Sequence, residues 1–167
     1  MHSVQQLVQQ FNMLPHPEGG YYKETYRSAE TTNKEALPNR FGGSRHISTA
    51  IYFLLEQGNF SAFHKIKSDE CWHFYAGESL LVYVLQPNGS LDIIRVGNNV
   101  AAGETFQYIV PANCWFASEP APESNFSFVG CTVAPGFDFE DFELAKAVEL
   151  IQLFPQHQSV IGRLCRQ

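Results

Sequence analysis

Apolar residues recur along this chain with two different periods, and the places where one period gives way to the other outline the fold. Near the N-terminus Ser3 and Gln6 have the spacing of a capping box, and Val4, Leu7, Val8 and Phe11 follow at helical intervals. This predicts a short amphipathic helix over residues 3 to 12. Pro15-His16-Pro17-Glu18-Gly19-Gly20 breaks any regular element, and Tyr21 to Ser28 reads as an extended strand rich in aromatic and β-branched side chains. Residues 29 to 45, polar and punctuated by Pro38, Gly42 and Gly43, read as a mobile loop.

From His46 onward, short strand-like runs alternate with turn signals at intervals of roughly ten residues, the pattern of a sandwich or barrel. Strands are predicted near 47 to 55, 60 to 66, 71 to 76, 79 to 86, 90 to 96, 105 to 110, 114 to 118 and 125 to 133. Pro87-Asn88-Gly89 marks a hairpin, since Asn-Gly supplies the positive backbone angles of a tight turn. After Pro135-Gly136 the period changes. Asp138, Glu140, Asp141 and Glu143 put negative charge where a helix start favours it, and Phe142, Ala145, Val148 and Ile151 make an apolar stripe that Pro155 ends. A last helical turn is expected near 159 to 165. No repeat, linker or low-complexity tract divides the chain, so residues 1 to 167 are read as one all-β domain carrying a short N-terminal helix and C-terminal helices.

Composition narrows the functional classes. A chain of 167 residues buries roughly two thirds of its unfolded surface and needs no staple to fold. Aromatic residues make up 14%, with fourteen Phe, which suits strands and pocket walls. A net charge of -6 and only eleven scattered Lys and Arg argue against a nucleic-acid partner. Cys71, Cys114, Cys131 and Cys165 show no Cys-x-x-Cys spacing and read as free thiols of a reducing compartment. Neither a signal peptide nor an apolar run near the ~20 residues of a membrane span is found, so a cytoplasmic protein without membrane contact is expected.

Gly58, His64, Ile66, Glu70 and Gly77 are separated by five, one, three and six residues. This resembles the first cupin motif, in which a second His stands where Ile66 stands here. On a strand, positions 64 and 66 share a face, and a turn returns Glu70 towards them. A looser match to the second motif runs from Gly103 to Pro111-Ala112-Asn113, Trp115 and Phe116, with Asn113 in place of a Gly and Phe116 in place of the third metal-binding His. Four further blocks are similar to the cupin-5 family: Pro15 to Tyr22, Ser48 to Leu55, Ser68 to Phe74, and Gly130 to Phe139. The resemblance implies a jelly-roll (cupin) barrel, a homodimer, and a pocket like those of nucleotide-sugar epimerases and seed storage proteins. It implies no particular reaction.

Candidate roles follow. His64 is read as a base that removes a proton beside a carbonyl, Glu70 as the group that orients it, and Tyr52 or Tyr75 as the group that returns a proton. Trp72, His73, Phe74, Gln107, Trp115 and Phe116 are candidates for a wall that stacks on and hydrogen-bonds a sugar-like or keto metabolite. Arg27 and Arg45 are candidates for holding an anionic group. Ser68, Lys65 and Lys67 are expected in solvent. In the early block, Glu18, Tyr22 and Lys23 are read as structural, and Gly19-Gly20 as a bend that lets the N-terminal strand cross to a dimer partner.

With two usual ligands replaced, no cofactor is expected beyond a weakly held divalent metal on His64, Glu70 and His73. Alternation puts His73 on the opposite face from Glu70 unless a bulge intervenes. Metal-independent epimerisation or isomerisation is the leading expectation. A metal-dependent enzyme such as a dioxygenase, and a non-catalytic metabolite-binding or sensing module, are the alternatives.

Overall fold

Helix α1 (Val4–Gln10) begins where the capping box predicts, with the Ser3 hydroxyl accepting from the Gln6 N–H and the Gln6 side chain accepting from the Ser3 N–H. The structure, a computed structural model, describes residues 3–122 and 124–166. Strands β1 (Leu14–Pro15) and β2 (Tyr21–Arg27) pair across the Gly19-Gly20 bend. Both glycines have positive φ, 118° and 77°, and a side-chain carbon would strike the backbone carbonyl of Phe60 at one and of Leu54 at the other. Only glycine fits there. The Ala62 N–H donates to the Glu18 carbonyl at 2.9 Å, which packs the bend against β6 (Ser61–Lys65).

The segment from 29 to 45 is not the free loop its polarity suggests. Strand β3 (Thr31–Thr32) pairs with β4 (Arg45–His46), and a 3-10 turn spans Lys34–Ala36. Phe41 is buried between the guanidinium groups of Arg40 and Arg45, 5.0 and 5.9 Å from its ring centre. One apolar ring with two cationic neighbours pins the segment down.

The eight strands predicted downstream are all present: β5 (Thr49–Glu56), β6 (Ser61–Lys65), β7 (Asp69–Gly77), β8 (Leu80–Leu85), β9 (Leu91–Val96), β10 (Gln107–Val110), β11 (Trp115–Pro120) and β12 (Phe126–Ala134). The β8–β9 turn carries Gly89 at φ 89°, as its Asn-Gly pair requires. Beyond β12 the helix expected from residue 138 is displaced. A 3-10 turn (Phe139–Asp141) and strand β13 (Glu143–Leu144) come first, and α2 (Ala147–Leu153) and α3 (Gln158–Arg163) follow. Tertiary contacts override the local signal: Arg45 holds Asp141, and β13 extends the sheet beside Lys65 and His64.

One antiparallel sheet runs β1-β2-β5-β12-β7-β10, and the other β13-β6-β11-β8-β9. They face each other as a jelly-roll barrel. Phe53, Leu55, Trp72 and Val129 of the first sheet pack inside against Val82, Val84 and Phe116 of the second. Outside, α2 and α3 cover Leu81, Tyr83 and Leu85, and α1 covers Leu54, Phe126 and Phe128. Strand β8 is therefore buried on both faces, which explains its unbroken apolar sequence.

Candidate functional site

The barrel interior is divided. Trp72, Phe53 and Phe116 fill one part edge to face, with ring centres about 6 Å apart. The rest is a cavity of about 530 Å³, a size suited to a small molecule. His64 from β6, Glu70 from β7, and His16 and Glu18 from the bend before β2 supply polar lining in its interior, and Glu24, Arg27, Thr49 and Asp138 complete it. Ile51, Ile66 and Val133 line it with apolar side chains, and Tyr22, Phe137, Phe139 and Phe142 add aromatic walls.

His64 and Glu18 are in contact at the buried floor, with Nε2 and Oε2 3.0 Å apart. The other imidazole nitrogen, Nδ1, lies 2.7 Å from the Ala62 carbonyl, which can only accept. The ring proton therefore resides on Nδ1, and Nε2 presents a lone pair to Glu18. A single proton serves the Nε2–Oε2 contact. Burial pushes the His64 pKa down to about 3, aided by nearby His16, although the Ala62 bond opposes the shift. Burial pushes Glu18 well above the usual carboxylate range, and the neighbouring Glu70 adds to this. Both directions favour a neutral acid donating to a neutral imidazole.

His16 is likewise neutral, lowered to about 4 by burial, and its Nδ1 accepts from the Glu18 N–H at 3.2 Å. Glu70 is raised to about 7 by burial, with the Cys131 thiol moderating the shift by hydrogen bonding to the charged form. The cavity thus contains one acid whose titration straddles neutral pH and an imidazole–carboxyl pair that shares a proton.

The sequence-predicted residues are distributed unevenly around this site. His64 and Glu70 both line the cavity, but the imidazole is oriented by Ala62 and bonded to Glu18, not to Glu70. Tyr52 and Tyr75 lie on the opposite face of the first sheet, packed with Phe128, and are not positioned to reach a cavity ligand. His73 is also on that outer face, bonded through Nε2 to Thr132 and through Nδ1 to Gln107. No register shift separates it from Glu70, because the β7–β12 irregularity falls at Phe128/Val129.

Trp72 and Phe74 belong to the packed part of the interior, with Phe116 beside them, its ring centre 4.1 Å from that of His64. Trp115 faces outward beneath Lys65. Arg45 is buried on Asp141 through two short bonds and is committed there. Arg27 does reach the cavity mouth, yet its guanidinium is already held by Glu24 at 2.7 Å and by the Phe137 carbonyl. Ser68, expected in solvent, is buried and donates to the Pro135 carbonyl. Lys65 and Lys67 keep partial exposure while pairing with Glu143 and Asp141.

Two contributors escape a reading of the sequence, Glu18 with His16, and the aromatic set from 137 to 142. The first had a usable signal, since two ionisable residues inside an apolar block followed by Gly-Gly suggest a turn that inserts them. The second had one in Phe137-Asp138-Phe139, whose alternation is that of extended backbone.

The donor set does not fit the metal that the first cupin motif suggests. Ile66 and Phe116 occupy ligand positions as buried apolar side chains, and Nε2 of His64 is engaged by Glu18. Among the described residues no three His, Cys, Asp or Glu side chains converge as a metal site.

Known structures and sequences agree with this architecture. A hypothetical protein from Leishmania major matches with a TM-score of 0.90 at 34% identity over 99% of this chain and 100% of that one. A protein from Shewanella oneidensis matches at 0.88 and 38% identity, over 99% of each chain. Oxalate decarboxylase from Bacillus subtilis, at 18% identity and a TM-score of 0.54, covers 90% of this chain and 36% of its own, and shows the fold alone. An uncharacterized protein of Saccharomyces cerevisiae is 35% identical over 156 residues, 86% of this chain and 76% of the yeast protein. The profile of the family Cupin_5, "Cupin superfamily (DUF985)", matches residues 5–145, and the chain belongs to this family.

Proposed function

We propose that this Cupin_5 protein binds a small sugar-like or keto metabolite in the barrel and moves a proton on it without a metal, as an epimerase or isomerase does. The observation that carries the reading is the 3.0 Å contact between His64 Nε2 and Glu18 Oε2, both buried, at the floor of the same cavity as Glu70. Proton transfer is most effective for a group whose pKa lies near the working pH. Glu70, at about 7, meets that condition, whereas His64, at about 3, does not. We therefore assign Glu70 as the group that takes the proton beside the carbonyl. The Glu18–His64 pair relays or returns a proton, replacing Tyr52 and Tyr75 in that role. Low charge on the floor and aromatic walls favour a ligand that presents both hydroxyls and an apolar ring face.

Four unpaired cysteines suit a reducing cytoplasm. Among the described residues no helix is long and apolar enough to cross a membrane. The exposed Tyr75 and Ile109 on the outer face of the first sheet suit a homodimer contact.

The test is solvent exchange. Neutral aldoses, ketoses and other hydroxy ketones are incubated with the protein in deuterium oxide and followed by proton NMR. Deuterium is expected at the carbon beside the carbonyl of at least one compound, and Glu70→Gln is expected to slow the exchange by ~10²-fold or more. A compound that raises the melting temperature and is recovered without deuterium makes the protein a binding module. A panel that neither exchanges nor stabilises overturns the reading.

A further inference from the structure

The charges around the cavity are lopsided. Glu24, Glu70 and Asp138 line it beside the neutral acid Glu18, and among the described lining residues Arg27 is the single cation once the histidines are neutral. Arg27 is no receptor for an anion, because its Nε and Nη2 donate to Glu24 at 3.0 and 2.7 Å and its Nη1 donates to the Phe137 carbonyl at 3.1 Å. Among the described residues no lysine lines the space. A phosphate or carboxylate entering it would meet carboxyl oxygens with no free cation to compensate.

The aromatic side chains point the same way. Phe137 stands at 82° to Phe139 and 69° to Phe142, with ring centres 5.0 and 6.4 Å apart, while Phe139 and Phe142 meet at 71° and 6.1 Å. His16 and Tyr22 add a further near-perpendicular pair at 84° and 4.8 Å. Phe139 also stacks on His16 at 26° and 6.5 Å, so the rings line the cavity in several orientations. A positive charge within roughly 6 Å of a ring face is attracted to it.

We propose that the ligand of this cavity is an organic cation, an amine or alkylated ammonium group held against the aromatic lining with its charge answered by the carboxyls of Glu70 and Asp138. This rests on the reading of the cavity as a ligand site and adds the charge class of what enters it. The cation replaces protons on buried acids, so their desolvation, unfavourable in the empty cavity, becomes attraction in the complex.

The test compares three probes of one shape and different charge: choline, its neutral isostere 3,3-dimethyl-1-butanol, and the anion 3,3-dimethylbutanoate. Each is titrated into the full chain by calorimetry and by melting temperature, with neutral hexoses alongside. Choline is expected to bind roughly tenfold more tightly than the alcohol, and the butanoate to bind more weakly than either. Phe139→Leu, which keeps an apolar side chain and removes a π-face, is expected to cut choline affinity while sparing the alcohol. Glu70→Gln is expected to narrow the gap between the two. Equal binding of choline and the alcohol, or tight binding of the butanoate, overturns the inference. Binding of hexoses with choline silent overturns it and leaves the cavity a ligand site. Silence of every probe removes both.

Discussion

Asp141 and Glu18 are buried to nearly the same degree, yet they meet different partners. Asp141 faces Arg45 with two bonds of 2.6 and 2.8 Å, and Lys67 stands 3.4 Å away. A guanidinium does not give up its proton, so this pair is charged and fixes geometry. It ties the segment around β3 and β4 to the turn that carries Phe139 and Phe142 into the cavity wall. The Glu18 carboxyl faces an imidazole that burial has stripped of charge, and among the described residues no arginine or lysine pairs with that carboxyl, Arg166 donating only to the Glu18 backbone carbonyl. There the proton has two homes a short distance apart. The lesson is that burial alone does not mark a functional acid; burial without a permanent cation does.

The comparison breaks most readily at Asp141. Asp141→Asn leaves the shape intact and removes the bidentate partner of a buried guanidinium that keeps only Glu140, at 3.2 Å, as a charge partner, so it is expected to cost about 3 kcal/mol. Urea unfolding measures this, with the midpoint lowered and the slope unchanged. Loss of ligand response should accompany it, because the aromatic turn loses its tether. A cost below about 1 kcal/mol would mean that the latch is screened like a surface pair.

The next largest effect is a pH dependence. Burial raises Glu70 from 4.5 to about 7, so the folded chain retains a proton that the unfolded chain releases. The stability this contributes is full below the unfolded value and is lost as pH rises through the folded one. His64 and His16, lowered to about 3 and about 4, act with the opposite sign: their contribution is full above 6.5 and lost as pH falls. Between about pH 6.5 and 7.5 the last of the histidine gain opposes the Glu70 loss, so the Glu70 contribution is read as the difference between wild type and Glu70→Gln. Relative to wild type, Glu70→Gln is expected to remove a fall of about 1 kcal/mol between pH ~6.5 and ~8, measured from the melting temperatures of both. Parallel profiles of the two proteins across that interval would place the Glu70 titration elsewhere.

Most of the fold was legible because strand period and turn chemistry act locally. The eight strands from β5 to β12 and the capped first helix follow from alternation, from Asn88-Gly89, and from Ser3 with Gln6. His64 and Glu70 were legible as neighbours in space because their spacing matches a known frame. Their partners were not. Glu18 enters from 46 residues upstream of His64 through a bend fixed by the carbonyls of Phe60 and Leu54, and no local pattern encodes that contact. The turn from 138 to 144 misleads for the same reason, since its acids suit a helix start until Arg45, 96 residues away, claims Asp141. Tyr52 and Tyr75 have suitable chemistry but the wrong face of the sheet, which their apolar neighbours under α1 decide.

The smallest expected effect is the sharpest discriminator between the two regions, because the same chemical change is made in each. If the Glu18–His64 contact is a neutral acid donating to a lone pair, the amide of Glu18→Gln donates to Nε2 in its place. The substitution should then change stability by no more than about 1 kcal/mol, in contrast to Asp141→Asn. Proton transfer should nonetheless suffer, since an amide cannot return what it donates. Nitrogen chemical shifts of the imidazole supply the second readout: Nε2 of His64 is expected as the unprotonated nitrogen in wild type and variant alike. If Glu18→Gln costs as much as Asp141→Asn, and wild-type His64 shows two protonated nitrogens, then the floor carries an ion pair and belongs with the latch, not with the chemistry assigned to it.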